Sequence, residues 1–198
     1  MKFRSDKMRK SKKYNTRRKI SANLPMHNRK AFTGMRNNMD INENNRLKDR
    51  VKRIAIGADH GAFETKEMLK KYLETLGYKV YDVGTDNNTT KVDYPDFAIA
   101  VSKKVVSGEC ERGIMLDAAG IGSSMACNKV KGIRAALCWN PETIVNSRAH
   151  NNANVLTMGT LQHSASDIAA MAKLWLETSF EGGRHWPRIN KIMSIERM

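Results

Sequence analysis

Four short segments hold side chains of the kinds that bind charge or move protons. The first, "DAAGIGSS" (Asp117 to Ser124), sets Gly120 and Gly122 between an apolar run and a helix-like run, with Ile121 and Ser123 beside them. Glycines let the backbone approach a ligand closely, and amides that open a helix donate toward negative charge. Such a loop stabilises an oxyanion, although a plain tight turn has the same composition. The three-glycine spacing of a dinucleotide loop is absent. In the second segment, "ADHGA", Asp59 stands next to His60. Asp59 either faces a ligand or caps the helix that follows. The third, "RAHNNANV", brings His150, Asn151 and Asn152 to the approach of a strand. Imidazole titrates near neutrality and suits proton transfer to oxygen. The fourth, "EGGRHWPR", spaces Arg184 and Arg188 four residues apart, where both face one phosphate or form an ordinary basic surface.

The elements that must position these segments follow from hydrophobic periodicity. "RIAIGA" (Arg53 to Ala58) reads as a buried strand, and the stretch from Ala62 to Gly77 as an amphipathic helix with Phe63, Met68, Leu69, Tyr72, Leu73 and Leu76 on one face. Further strands are expected at Tyr78 to Gly84, Arg112 to Asp117, Gly132 to Cys138 and Ala153 to Gly159. Helices are expected at Asp96 to Ser107, Ser123 to Val130 and Ala165 to Phe180. Strands this apolar, alternating with helices, imply a parallel sheet covered on both faces: a doubly wound, Rossmann-like α/β domain of five strands. Ligands of such sheets sit beyond the carboxyl ends of the strands. On this reading Asp59, His60, the Asp117 loop and His150 share one crevice, which holds a small phosphorylated ligand.

Net charge is +15, but it is unevenly spread. Residues 1 to 50 carry sixteen basic side chains against four acidic ones, a balance of +12, which leaves +3 for residues 51 to 198. The first fifty residues also hold eight Asn and lack apolar periodicity, so they are expected to be a largely disordered arm. The arm is a plain solubilising extension or contacts an acidic partner such as RNA, anionic lipid or a targeting receptor. A cytoplasmic setting is expected, with organelle import as the alternative. No apolar run is long enough for a membrane span. Cys110, Cys127 and Cys138 show neither CxxC spacing nor paired His, so they support no disulfide framework and no zinc site, and Cys127 and Cys138 read as buried core residues.

The order and spacing of these segments resemble the family of ribose-5-phosphate isomerase B and the galactose-6-phosphate isomerase subunits. The resemblance runs from Arg53 to about Ile192 through "IAIGADHGAFETKEMLK", "YDVGT", "DYPDFA", "GIGSSMACNKVKGIRAAL", "HNNANVLTMG" and "EGGRH". It implies an aldose/ketose isomerase of sugar phosphates that uses neither metal nor nucleotide. It also implies a homodimer, alone or paired again, with each pocket built from both subunits and the C-terminal tail packed on the partner. Carried over by position, Asp59 binds sugar hydroxyls, His60 with Arg184 and Arg188 holds the phosphate, and His150 assists ring opening beside Asn151. Amides around Gly120 and Gly122 would then stabilise an enediolate.

Three positions depart from the family's usual pattern. Asp117 stands where many members have the catalytic cysteine, Ala119 where they have threonine, and Leu161 where they have an arginine for the phosphate. A second branch uses a Glu as base at the position of Ser123, so that substitute is missing too. Asp117 is therefore either the base itself or a cap of the turn in a domain that binds a sugar phosphate without converting it. A hexose-6-phosphate isomerase subunit is a further reading, since one such subunit carries Ile-Asp-Ala at this loop.

Overall fold

In a computed structural model, residues 51–198 are described. The basic arm, with the expectation that it is disordered, lies outside the described residues. Five strands, β1 (Arg53–Ala58), β2 (Lys79–Asp82), β3 (Arg112–Asp117), β4 (Ala135–Leu137) and β5 (Val155–Gly159), form one sheet in the order β2-β1-β3-β5-β4. Every neighbouring pair is parallel. The doubly wound architecture is the one the alternating pattern predicts.

Successive residues of each central strand point to opposite faces, and both faces are apolar. Ile54, Ile56, Ile114, Leu116, Leu156 and Met158 pack with Leu69 and Leu73 of α1 (Phe63–Thr75) on one side. Ala55, Met115 and Val155 pack with Ala98 and Val101 of α2 (Tyr94–Val106) and Cys127 of α3 (Ile121–Cys127) on the other. The first face is completed by Ile144 of α4 (Pro141–Ala149) and by Ile168 and Trp175 of α5 (Ala165–Glu177). Each Ile, Leu, Val or Met among these, buried fully, contributes about 1.5–3 kcal/mol, and the Trp175 indole donates to Ser147 Oγ at 3.1 Å. A last helix, α6 (Trp186–Ser194), closes the chain. All three cysteines are free and buried, as expected for Cys127 and Cys138.

Two helices go beyond the sequence expectations and change where the chemistry lies. α4 follows β4, and α6 occupies what reads as a plain tail. Helix α4 starts at the carboxyl end of β4 and delivers the chain to the amino end of β5. There Asn154 N donates to Arg134 O, just before β4 begins. Among the described residues no helix is long and apolar enough to cross a membrane.

Candidate active site

At the carboxyl ends of β1 and β3, where the winding of the sheet reverses, the chain brings together Asp59, His60 and the Asp117 loop. Ala58 and Leu116 are register partners, so Asp59 and Asp117 leave adjacent strands side by side. Asp59 caps the turn His60–Ala62, its Oδ1 accepting from Gly61 N (3.1 Å) and Ala62 N (3.2 Å). Both bonds land on Oδ1, so the cap does not need Oδ2. Burial pushes the Asp59 carboxyl up, the Ala62 amide pulls it down and the Asp117 charge pushes it up again, leaving it above its ordinary value. His60 Nδ1 accepts from Val92 N at 3.3 Å, which puts the ring proton on Nε2 as a donor.

Asp117 is 5% exposed and anchors the glycine loop. Its Oδ1 accepts from Gly120 N, and its Oδ2 accepts from Ser123 N and from Ser123 Oγ. Gly120 sits at φ +75, and a Cβ there would lie 2.9 Å from the backbone of Met158 and Gly159. Gly122 faces the Tyr94 ring, which a Cβ would meet at 2.5 Å. These contacts correct two expectations. The Gly120 amide is already committed to Asp117 and is not available to an enediolate, and Ser123 is buried and serves Asp117 instead of a ligand. The amides left to donate outward are those of Ile121 and Gly122, which as first-turn groups have no helical acceptor. Leu161, at the arginine position of the family, is 80% exposed just after β5, its N bonded to Ala118 O at 3.1 Å.

His150 and Asn151 do not join this group within one chain, contrary to the single crevice read from the sequence. Gly113 pairs with Val155 and Asp117 with Gly159, so the two ends of the sheet are four residue steps apart, about 13 Å at 3.3 Å per residue. At the amino end, His150 Nδ1 accepts from Asn146 Nδ2 at 3.0 Å, and Asn151 Nδ2 donates to Asn146 Oδ1 at 2.9 Å. Arg148 is buried below them, with Nη1 donating to Asn152 Oδ1 (2.9 Å) and to Ala153 O, and its guanidinium over the Trp175 ring. Burial, with Arg112 and Arg134 near, pulls Arg148 down to about 9, so it stays charged at neutral pH.

The segment after α5 returns to the same end, where Glu181 N bonds Ala149 O at 3.0 Å. The His150 and His185 rings stack with centroids 4.5 Å apart, and Glu181 Oε2 is 3.5 Å from Nε2 of each. Arg184, in the turn Gly183–His185, and Arg188, in the first turn of α6, are exposed on the same segment. Glu181, His185, Asn146 and Arg148 escape the sequence reading. The Glu181–His185 spacing of four inside "EGGRH" is the one signal that marks two of them.

The chain that sets a carboxyl-end group with loop amides and an amino-end group with imidazole and paired arginines on a sheet ordered β2-β1-β3-β5-β4 is matched by a family model. That model, Ribose/Galactose Isomerase, covers residues 54–192. The chain belongs to the ribose/galactose isomerase family. Ribose-5-phosphate isomerase B of Escherichia coli is 37% identical over 147 residues, 74% of this chain and 98% of its own length. The structure of Clostridium thermocellum ribose-5-phosphate isomerase B matches with a TM-score of 0.71 at 44% identity, covering 73% of this chain and 97% of that one. The Mycoplasma genitalium ribose-5-phosphate isomerase B structure, which holds ribulose-5-phosphate, matches with a TM-score of 0.70 at 37% identity, covering 73% and 96%.

Proposed function

We propose that the chain interconverts a phosphorylated aldose and its ketose through an enediolate, with ribose 5-phosphate and ribulose 5-phosphate as the first pair to test. The observation that carries this reading is the division of the family's residues between opposite ends of one sheet, each end chemically half a site. Two copies, set so that the amino end of one meets the carboxyl end of the other, complete a pocket. A two-fold pairing completes two at once. The bound ribulose-5-phosphate of the Mycoplasma relative supports a ligand of this size and charge.

In the assembled pocket, His60 of one copy with Arg184 and Arg188 of the other hold the phosphate. His150 moves the proton that opens the sugar ring, oriented by Asn146. The base then takes the proton from C2 and returns it at C1, while a proton passes from O2 to O1. The Ile121 and Gly122 amides face the oxyanion that develops between these steps. Asp117 is the base in this reading. It stands beside those amides, and its three anchoring bonds leave one of about four carboxylate lone pairs unused.

The anchoring bonds also favour a second reading, in which Asp117 only holds the loop and the domain binds sugar phosphates without converting them. The deciding experiment is to incubate the purified chain with pentose and hexose phosphates in heavy water and follow exchange at C2. Exchange supports the isomerase, and the substrate that exchanges fastest names the sugar. Thermal stabilisation by sugar phosphates without exchange supports the silent reading, and absence of both effects refutes the two together.

A further inference from the structure

At the amino end of the sheet, His150, Glu181 and His185 hold three ligand atoms within 4.8 Å of one another. Glu181 Oε2 is 3.5 Å from Nε2 of each histidine, close to the ~3.4 Å edge of a tetrahedron built on zinc bonds of about 2.1 Å. His185 gives the cluster a second mark. It is 6% exposed, and its buried Nε2 has no hydrogen-bond partner although it is directed at the carboxylate. A buried ring nitrogen is seldom left so.

We propose that His150, Glu181 and His185 form a site for one divalent transition cation of the zinc class, and that a cation bound there inhibits the enzyme. Two imidazoles and one carboxylate suit zinc better than magnesium or calcium, which prefer all-oxygen shells. Three protein ligands leave a fourth position open toward solvent, since the Glu181 and His150 side chains are 57% and 36% exposed. Closing the shell asks that the ring nitrogens draw together from at most 4.8 Å and that the half-buried His150 ring rotate out of its near-parallel stack on His185, so that the two in-plane lone pairs converge on one point. Metal on Nε2 puts the His150 proton on Nδ1. Asn146 then turns its amide so that Oδ1 accepts that proton, the outer-shell bond that metal-bound histidines usually make, while Asn151 Nδ2 gives up Oδ1 and keeps its bond to the Asn146 carbonyl at 3.2 Å. Occupancy removes the imidazole that opens the sugar ring; that inhibitory consequence rests on the isomerase reading, whereas the binding does not.

The test is titration of chelator-treated full-length chain with zinc by calorimetry, and with cobalt(II) as a spectroscopic probe. The expected result is one zinc per chain and the intense visible bands of tetrahedral cobalt. Glu181→Gln, at an exposed position, and His150→Ala, at a half-buried one, should each weaken binding by about tenfold or more. His163→Ala, which removes another unpartnered ring nitrogen outside the cluster, should leave binding unchanged. Absence of saturable binding, or equal affinity in wild type, Glu181→Gln and His150→Ala, overturns the proposal. Stoichiometric, variant-sensitive binding by a chain that converts no sugar supports the cation site and refutes the isomerase reading alone.

Discussion

Replacing Asp117 by Asn tests what its carboxylate does before any substrate is added. Both oxygens accept from backbone amides, Oδ1 from Gly120 and Oδ2 from Ser123, with the Ser123 hydroxyl as a third donor. An asparagine turns its nitrogen toward one amide or the other, so donor meets donor in either orientation. The hydroxyl of Ser123 can rotate to accept, but a backbone N–H cannot. One bond to a charged group, worth about 1.5–3 kcal/mol, is lost, and a buried donor is left unpaired at about 1–3 kcal/mol. Allowing for partial relaxation, the cost is about 2–4 kcal/mol, or roughly 5–15 °C in Tm for a domain of this size. Thermal unfolding by circular dichroism reads it directly, with exposed Glu74→Gln as a control expected to stay within about 0.5 kcal/mol. An Asp117→Asn protein that melts within about 2 °C of wild type would refute the anchoring role.

Gly120→Ala combines a left-handed backbone with a Cβ set against main-chain atoms of Met158 and Gly159, and should cost about 2–4 kcal/mol in urea denaturation. Acid should weaken the domain through Asp82. Burial pushes its carboxyl up, but hydrogen bonds from Lys66, Lys70 and the Gly84 amide outweigh burial and hold it below its ordinary value. A depressed folded-state pKa contributes stability above the unfolded value near about 4 and loses it as pH falls through the folded one. Asp82→Asn should therefore flatten the fall in Tm between about pH 5 and pH 2. Arg184→Ala should raise KM for the sugar phosphate by about tenfold or more, with a smaller change in kcat, because a charged hydrogen bond to phosphate is worth about 1.5–3 kcal/mol; steady-state kinetics at several phosphate concentrations checks it.

The central strands were legible because they are apolar on both faces: β1 and β3 begin and end where their hydrophobic runs do. The edge strands β2 and β4 are shorter than their runs, since each has a partner on one side only. Helix α4 escaped because "PETIVNSRA" has almost no apolar face. Its start is nonetheless written in Asn140 and Thr143, which form a capping box, and in Pro141 at the first helical position. It is this helix that carries His150 to the amino end of the sheet, opposite the end that strand periodicity alone implies. The glycine loop was recognisable by composition, whereas the commitment of the Gly120 amide to Asp117 depends on side-chain geometry that spacing does not encode. Glu181 and His185 carry no signal beyond their spacing because their meaning lies in the His150 ring, which caps the end of α4 and stands 31 and 35 residues earlier in the sequence.

In the proposed mechanism residues from opposite ends of the sheet act in one pocket, which requires two copies. The most direct measurement mixes His60→Ala chains, altered at the carboxyl end, with His150→Ala chains, altered at the amino end. After unfolding and refolding together, activity is followed at substrate well below KM. Random pairing makes half the dimers mixed, and each mixed dimer has one intact pocket and one doubly altered pocket. Recovery of about a quarter of wild-type activity from two nearly inactive parents is expected. Activity that stays at the parental level when mixed dimers have demonstrably formed would contradict the shared pocket.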